Sequence, residues 1–147
     1  MKLEKSDLAP IVIFAFNRPR HLENLIHSLE KNPNWPLSNV ICFIDGPRNE
    51  EDQKLIFEVE YFVKSLPHKN LQIFSNEINV GLSTSIIEGL NKVFEKYEEV
   101  IVLEDDLVVS HDFLNFMNLG LKKFKNEQDI ATIQGYSPIN LNNYNKI

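Results

Sequence analysis

Residues 11–16 read Ile-Val-Ile-Phe-Ala-Phe, a run of six apolar side chains without polar alternation. A continuous apolar run of this length is typical of a strand that is covered on both faces, as in a parallel sheet. The same pattern returns at residues 40–44, 71–74 and 100–103, and more weakly at 130–133. The sequence therefore predicts four buried strands and a weaker fifth.

The segments between these runs carry apolar residues at helical spacing. The first covers residues 22–29 and has Pro19 in its first turn, where a missing N–H is tolerated. Because strand and helix alternate at the spacing of β-α-β units, the sequence predicts a parallel α/β fold. The three later helical stripes lie at residues 55–66, at 86–97 with Ser83 as the expected N-cap, and at 113–124, begun by Ser110.

Length and composition exclude several other classes of protein. The chain has 147 residues, of which 43% are hydrophobic and 24% are charged, as expected for one globular domain and not for a disordered chain. The formal net charge is −6 and no dense run of lysine or arginine occurs, which argues against nucleic acid or an anionic membrane as the main partner. The single cysteine, Cys42, lies inside the second apolar run and is expected to pack in the core.

Nothing near the N-terminus has the pattern of a targeting signal. Residues 1–9 are charged, and the apolar run that follows ends at Asn17 after six residues. We therefore expect a cytoplasmic protein without an integral membrane segment, with peripheral attachment at the inner face of a membrane as a further option.

Polar residues follow three of the predicted strands. They are residues 17–20 (Asn-Arg-Pro-Arg), 45–48 (Asp-Gly-Pro-Arg) and 104–106 (Glu-Asp-Asp). Ligands of open parallel sheets bind beyond the carboxyl ends of the strands, so these three segments are the candidates for a binding site.

The acidic segment is the sharpest of the three, since three consecutive carboxylates stand between two apolar stretches. Two like charges repel by about 1 kcal/mol at 4 Å even in water, and nearby apolar surface raises the cost unless a cation offsets it. Carboxylate oxygens suit Mg²⁺ or Mn²⁺, with waters and phosphates in the remaining coordination positions. The segment predicts a metal-holding strand end or, alternatively, a solvated acidic turn.

Other phosphate-binding motifs are missing from the sequence. Neither G-x-G-x-x-G nor G-x-x-x-x-G-K-[ST] follows the first strand, which disfavours a dinucleotide site and a P-loop. Asn17 and Arg18 occupy the place where a phosphorylation receiver domain would carry its acidic pair. The remaining candidates for binding a phosphate group are a metal at the end of the fourth strand and a guanidinium at the end of the first.

Four segments of the sequence, taken in order, carry a resemblance to a known family. They are residues 9–19, 43–46 (Phe-Ile-Asp-Gly), 79–82 (Asn-Val-Gly-Leu) and 102–107 (Val-Leu-Glu-Asp-Asp-Leu), with Asp112 and Phe113 following. In this order they resemble the nucleotide-sugar half of a GT-A type glycosyltransferase, closest to the N-acetylglucosaminyltransferase I-like group and its bacterial family 2-like relatives. The resemblance extends from Pro10 to about Pro138.

This resemblance implies a GT-A Rossmann-like three-layer sandwich with a mostly parallel sheet. It also implies that the first and fourth strands are neighbours, with Arg18 and Asp106 on opposite sides of one crevice. Arg18 would contact the nucleotide or its phosphates, while Phe16 and Asn17 would shape the edge of the base pocket. Asp45 would accept a hydrogen bond from the base, which is uracil if the donor is a UDP-sugar.

The remaining assignments implied by the resemblance concern the sugar and the metal. Gly81, Leu82 and Ser83 would line the donor at a helix start, where free N–H groups suit an anion. Glu104 and Asp105 would meet sugar and ribose hydroxyls. Asp106 would hold Mn²⁺ or Mg²⁺ on the diphosphate.

The function implied is metal-dependent transfer of a sugar from a nucleotide-diphosphate sugar to a glycan or lipid-linked acceptor, in cell-surface glycan or polysaccharide synthesis. The barrier of such a reaction depends on charge that develops on phosphate oxygens, which a cation and an arginine stabilise. Since 147 residues are few for both a donor and an acceptor site, we expect a single donor-binding domain over residues 1–147 without the acceptor-binding part.

Several alternatives stay open on the sequence. The chain as a whole could be a donor-binding module without turnover, or a phosphoregulatory or protein-interaction α/β domain. At single positions, Arg18 could be a solvated charge, Asp45 and Gly46 a simple turn, and Ser83 a helix cap only.

Overall fold

The computed structural model describes residues 3–136, and these form four strands and four α-helices that alternate along the chain. The predicted α/β class is therefore confirmed. Residues 140–147, which the sequence predicts as a loop, lie outside the described residues. The elements are β1 (Ile11–Ala15), α1 (Pro19–Leu29), β2 (Val40–Ile44), α2 (Glu50–Ser65), β3 (Leu71–Ser75), α3 (Leu82–Phe94), β4 (Ile101–Glu104) and α4 (Phe113–Phe124), with short 3-10 turns at Lys5–Asp7 and Trp35–Leu37.

The four strands form one sheet in the order β3-β2-β1-β4, and every pairing in it is parallel. Ile11 of β1 lies opposite Val40 on one side and opposite Ile101 on the other. β1 and β4 are thus neighbours, as the resemblance implied.

Alternate residues of each strand face two different helical layers, because successive side chains of a strand point to opposite faces. Ile11 and Ile13 pack in the core formed with α1, α2 and α4, whereas Val12 and Phe14 pack with α3. Cys42 is buried on the first of these faces, where burial raises the pKa of its thiol to about 12. The three-layer arrangement and the core role of Cys42 are both confirmed.

The direction in which the sheet is built reverses between β1 and β4. From β1 the chain moves through α1 and α2 to β2 and β3 on one side, and then returns through α3, on the opposite face, to β4 on the other side. In α/β sheets the crevice at such a reversal is the preferred ligand position. The residues that follow β1 and β4 meet at this crevice.

The fifth predicted strand is not formed, since residues 130–133 have no regular structure. Ile133 lies against Gly120 of α4 and against the main core, whereas residues 130–132 are exposed. Trp35, which precedes β2, is 6% exposed and makes an edge contact with His68, so it packs the connecting segments against the core. Among residues 3–136 we find no helix that is long and apolar enough to cross a bilayer.

Two predicted helix starts are wrong. Helix α3 begins at Leu82 with Gly81 as its N-cap, so that Ser83 lies inside the first turn and is exposed. Gly81 has a φ of 82°, a conformation that glycine adopts without the steric cost other residues incur. Helix α4 begins at Phe113 with Asp112 as its N-cap, and the carbonyl of Ser110 accepts a hydrogen bond from the Phe113 amide in the preceding turn.

Helix α2 begins five residues earlier than its apolar pattern does. The side chain of Asn49 accepts a hydrogen bond from the Asp52 amide at 2.9 Å and so caps the helix. The three acidic residues that follow favour the helix start electrostatically, which is why a turn without apolar side chains is still helical.

Candidate functional site

A cleft of about 380 Å³ opens at the carboxyl ends of β1, β2 and β4, beside the start of α3. Of the ten residues predicted for the site, Ser83 and Asp106 are not among those that line this cleft. The other eight line it: Phe16, Asn17, Arg18, Asp45, Gly81, Leu82, Glu104 and Asp105.

Asp45 organises the floor of the cleft. The residue is 5% exposed, and its carboxylate accepts five hydrogen bonds, four of them from the loop between β3 and α3 and one from the amide of Gly46. A carboxylate has about four lone-pair positions, so these contacts use all of its accepting capacity. A base N–H could be accepted by Asp45 only if one of these donors moved away. The donors are the amides of Gly46 (2.9 Å), Val80 (3.0 Å) and Gly81 (3.0 Å) and the side chains of Asn76 (3.2 Å) and Asn79 (2.9 Å).

Gly46 allows the same loop to approach β2. A Cβ atom at position 46 would collide with the backbone nitrogen, carbonyl carbon and oxygen of Ile78. Glycine is therefore required here by close backbone contact, and the turn interpretation of Asp45 and Gly46 is incomplete because both residues are buried against this loop.

Asp52 fixes a second wall of the cleft. Its side chain is 4% exposed and accepts hydrogen bonds from Asn17 Nδ2 at 2.5 Å and from Arg48 Nε at 2.7 Å. The Arg48 guanidinium in turn lies 4.8 Å from the centre of the Phe16 ring. Two predicted residues, Phe16 and Asn17, are thus held in place by two residues that had no predicted role.

The pKa of Asp52 is lowered from 3.8 to about 2, chiefly by the hydrogen bond from Arg48 and further by the one from Asn17. A carboxyl with a lowered pKa in the folded state stabilises the fold above its unfolded pKa, and this contribution is lost as the pH falls through the folded pKa. We expect the stability difference between the wild type and Asp52→Asn to shrink as the pH falls from 3.8 toward 2. Urea unfolding midpoints measured across this range check the prediction, and parallel pH profiles for the two proteins would contradict it.

Arg18 pairs with two of the three acidic residues at the crevice between β1 and β4. Its Nη2 lies 2.6 Å from Asp105 Oδ1, and its Nη1 lies 3.1 Å from Asp106 Oδ2. Arg18 and Asp106 were expected on opposite sides of the crevice, and the structure instead brings them into direct contact. The neighbouring strands β1 and β4 explain this, because Arg18 follows β1 by three residues and Asp106 follows β4 by two.

The two carboxylates differ sharply in their surroundings. The side chain of Asp105 is 3% exposed and that of Asp106 is 44% exposed. Burial is the largest influence on Asp105 and raises its pKa, against the opposing effects of Arg18 and of the Phe16 amide, which donates a hydrogen bond to Oδ2. Asp105 Oδ1 is buried and has no hydrogen-bond donor, although it is in ionic contact with Arg18.

The carboxylate oxygens of Asp105 and Asp106 fit a divalent cation that is held partly by the protein and partly by the phosphates of a bound substrate. Within residues 3–136 no group of three or more His, Cys, Asp or Glu side chains converges on one point. Asp106 offers one exposed carboxylate beside the buried, undonated oxygen of Asp105. Mg²⁺ and similar cations are often bound by one or two carboxylates plus substrate phosphates, so the residues present suit that mode.

The start of α3 closes the other side of the cleft. Gly81 and Leu82 line it, and the free N–H groups of a first helical turn favour an anion. Ser83 is exposed but does not line the cleft, whereas Ser85 is 7% exposed and does. Ser85 could have been identified from its helical spacing of four residues from Gly81.

Fold and site together define an α/β protein of the GT-A Rossmann-like class with a polar cleft at its strand ends. Residues 11–145 match the family model described as glycosyl transferase family 2, and the chain belongs to this family. The predicted resemblance and fold class are confirmed.

Two solved structures of the same fold are similar to this chain. The crystal structure of S. aureus TarS 1-349 is 19% identical and superposes with a TM-score of 0.55, over 80% of this chain and 33% of that one. The crystal structure of S. aureus TarS is 19% identical with a TM-score of 0.53, over 80% of this chain and 20% of that one. This chain therefore spans about a third of the first and a fifth of the second.

Proposed function

We propose that this chain binds a nucleotide-diphosphate sugar, most favourably a UDP-sugar, and provides the donor side of a metal-dependent glycosyl transfer. The observation that carries the proposal is the meeting of Arg18 with Asp105 and Asp106 at the reversal point of the sheet. A guanidinium and exposed carboxylate oxygens at this position are the groups that a diphosphate and its cation require.

The base and ribose would occupy the part of the cleft between β1, β2 and α3. Phe16 offers an aromatic surface, and Asn17 is fixed beside it by Asp52. Asp45 accepts a hydrogen bond from the Gly81 amide at the start of α3, and by holding that loop it would set the width of the space left for a base. A uracil N–H would bond to Asp45 in place of one of the loop donors.

The diphosphate would lie near Arg18 and the start of α3. Arg18 is half-exposed, so its guanidinium can donate to phosphate oxygens without a large rearrangement of buried groups. Glu104, half-buried at the end of β4, would accept hydrogen bonds from sugar hydroxyls, with Asp105 beside it.

Asp106 would hold Mn²⁺ or Mg²⁺ at the diphosphate. When bound, such a cation stabilises the negative charge that develops on the nucleoside diphosphate leaving group. Arg18 donates hydrogen bonds to the same charge, and the fixed amides of α3 add a positive potential at little cost in reorganisation. The acceptor of the transferred sugar in this proposal is a glycan or a lipid-linked molecule, in the synthesis of cell-surface glycans.

Titration calorimetry with UDP, in the presence of Mn²⁺ and again with a chelator, tests this function. We expect binding that requires the metal and that is weaker for ADP and GDP. Absence of binding by every nucleoside diphosphate, with or without metal, would contradict the proposal. An assay for UDP release from UDP-sugars then separates an enzyme from a module that binds the donor without turnover.

A further inference from the structure

Arg18 is the positive group that offsets the two carboxylates of the crevice in the ligand-free chain. It reaches one nearly buried carboxylate at 2.6 Å and one half-exposed carboxylate at 3.1 Å. These are the ion pairs that the Arg18 side chain makes within the described residues. The guanidinium therefore already contacts an oxygen of the Asp106 carboxylate, Oδ2, that a cation would need.

Such a counter-charge is needed because a buried carboxylate is costly without one. Asp105 is 3% exposed at the side chain and stands beside a second carboxylate, whose charge raises its pKa further. Asp105 Oδ1 is buried and its contact is the ion pair with Arg18 Nη2 at 2.6 Å. This pair holds the charge balance of the crevice in the ligand-free chain.

Arg18 can release Asp106 and keep its contact with Asp105. It is the N-cap residue of α1 and makes no side-chain cap hydrogen bond, and 44% of its side chain is exposed. The pair with the nearly buried Asp105 is costly to break, whereas the pair with Asp106 is half-exposed on both sides. Exposed ion pairs contribute about 0–1 kcal/mol, so the Asp106 contact is the easier of the two to lose.

We propose that Arg18 is a resident counter-cation, which holds Asp106 in the free protein and is displaced from it by a divalent cation. The nature of the incoming ligand rests on the proposed function, in which a diphosphate offers the released guanidinium a new partner. Two consequences follow from electrostatics. Metal alone binds weakly to the wild type because it competes with Arg18, and metal and nucleoside diphosphate strengthen each other's binding.

Mn²⁺ affinity measured without nucleotide, by the electron paramagnetic resonance signal of free Mn²⁺, tests the proposal. Removal of one positive charge about 4–5 Å from a divalent ion favours that ion by roughly ten-fold or more even at the dielectric constant of water. We therefore expect Arg18→Met to bind Mn²⁺ at least about ten-fold more tightly than the wild type. Arg20→Met, which removes a nearby exposed charge, is the matched control and should change the affinity by less than about two-fold.

Equal or weaker Mn²⁺ binding by Arg18→Met would overturn the proposal, as would the absence of measurable binding by both proteins. The double variant Arg18→Met, Asp106→Asn should not show the increase in Mn²⁺ affinity that is expected for Arg18→Met alone. If Arg18→Met is unfolded in chelator, the proposal requires that Mn²⁺ restores its thermal unfolding transition, and failure to do so would also overturn it.

The nucleotide arm of the same experiment keeps this proposal apart from the proposed function. Tighter Mn²⁺ binding by Arg18→Met, together with no UDP binding by the wild type, would support the counter-cation proposal and contradict the proposed donor site. Metal-dependent UDP binding by the wild type, without a gain in Mn²⁺ affinity for Arg18→Met, would support the donor site and contradict the counter-cation proposal.

Discussion

Asp106→Asn is expected to lower the affinity for UDP in the presence of Mn²⁺ by at least about 100-fold. A metal held on a phosphate supplies several kcal/mol of charge stabilisation, and each 1.4 kcal/mol corresponds to a factor of ten. The amide of asparagine keeps the size of the side chain and removes the charge. In chelator, where no UDP binding is expected, the variant and the wild type should not differ, because the lost interaction is the one through the metal.

The fold should be unaffected by this substitution. The side chain of Asp106 is 44% exposed and its ion pair is with the half-exposed Arg18. Such pairs contribute little to stability, so thermal unfolding should match that of the wild type. Asp112→Asn is the matched control, since Asp112 is 70% exposed and pairs with His111 outside the cleft. If Asp106→Asn bound UDP with Mn²⁺ as tightly as the wild type does, the proposal that Asp106 holds the metal would be contradicted.

Gly46→Ala is expected to lower the free energy of unfolding by about 2–3 kcal/mol. The added methyl group would collide with the backbone of Ile78, which cannot rotate away as a side chain can. Relief requires movement of the whole loop between β3 and α3. That movement pulls the amides of Val80 and Gly81 from Asp45, and buried donors left without an acceptor add to the cost.

Urea unfolding measures this effect, and Gly120→Ala provides the comparison. A Cβ atom at position 120, within α4, would lie 3.1 Å from the terminal methyl of Ile133, which can shift. Alanine is also favoured over glycine by up to about 1 kcal/mol inside a helix, so this variant should be nearly neutral or more stable. A Gly46→Ala protein within about 0.5 kcal/mol of the wild type would show that the loop is not fixed as described.

The strands and helices of this fold are largely predictable from the sequence. The prediction of four buried strands is right for β1 and β2, which are continuous apolar runs and are wholly buried. It is wrong for the two outer strands of the sheet, since β3 has no buried residue and Val102 of β4 is 41% exposed. The helix starts were less accurate, since Gly81 and Asn49 act through backbone conformation and capping and not through apolar spacing. Of the strand order, the resemblance implied only that β1 and β4 are neighbours, and local pattern does not specify which other strands pair.

The candidate site was predictable in its positions and not in its contacts. Strand ends identified the cleft, but the hydrogen bonds that shape it join residues 31 to 36 positions apart, such as Asp45 with Asn79. Arg48 and Asp52 were missed because the residues that they contact, Phe16 and Asn17, are also far from them in the sequence.

The alternation of a strand predicts which of the three consecutive carboxylates is buried, but not which residue it contacts. Leu103 and Asp105 are buried, while Asp106 is exposed, so the alternation of β4 continues two residues beyond the strand. A period of two would have predicted that Asp105 points inward. It would not have predicted the ion pair of Asp105 with Arg18, because that contact depends on the pairing of β1 with β4.

The most direct measurement of the donor site is an amide correlation NMR spectrum of the chain with UDP and Mg²⁺, compared with the same sample in Mn²⁺. Paramagnetic Mn²⁺ broadens the amide signals closest to it, so the comparison locates the metal within the protein. We expect the amides of Arg18, Asp105 and Asp106 to be lost in Mn²⁺, and those near His68, at the far end of the sheet, to remain sharp. Broadening centred elsewhere than the ends of β1 and β4, or none with UDP present, would contradict a nucleotide-diphosphate and metal site at this crevice.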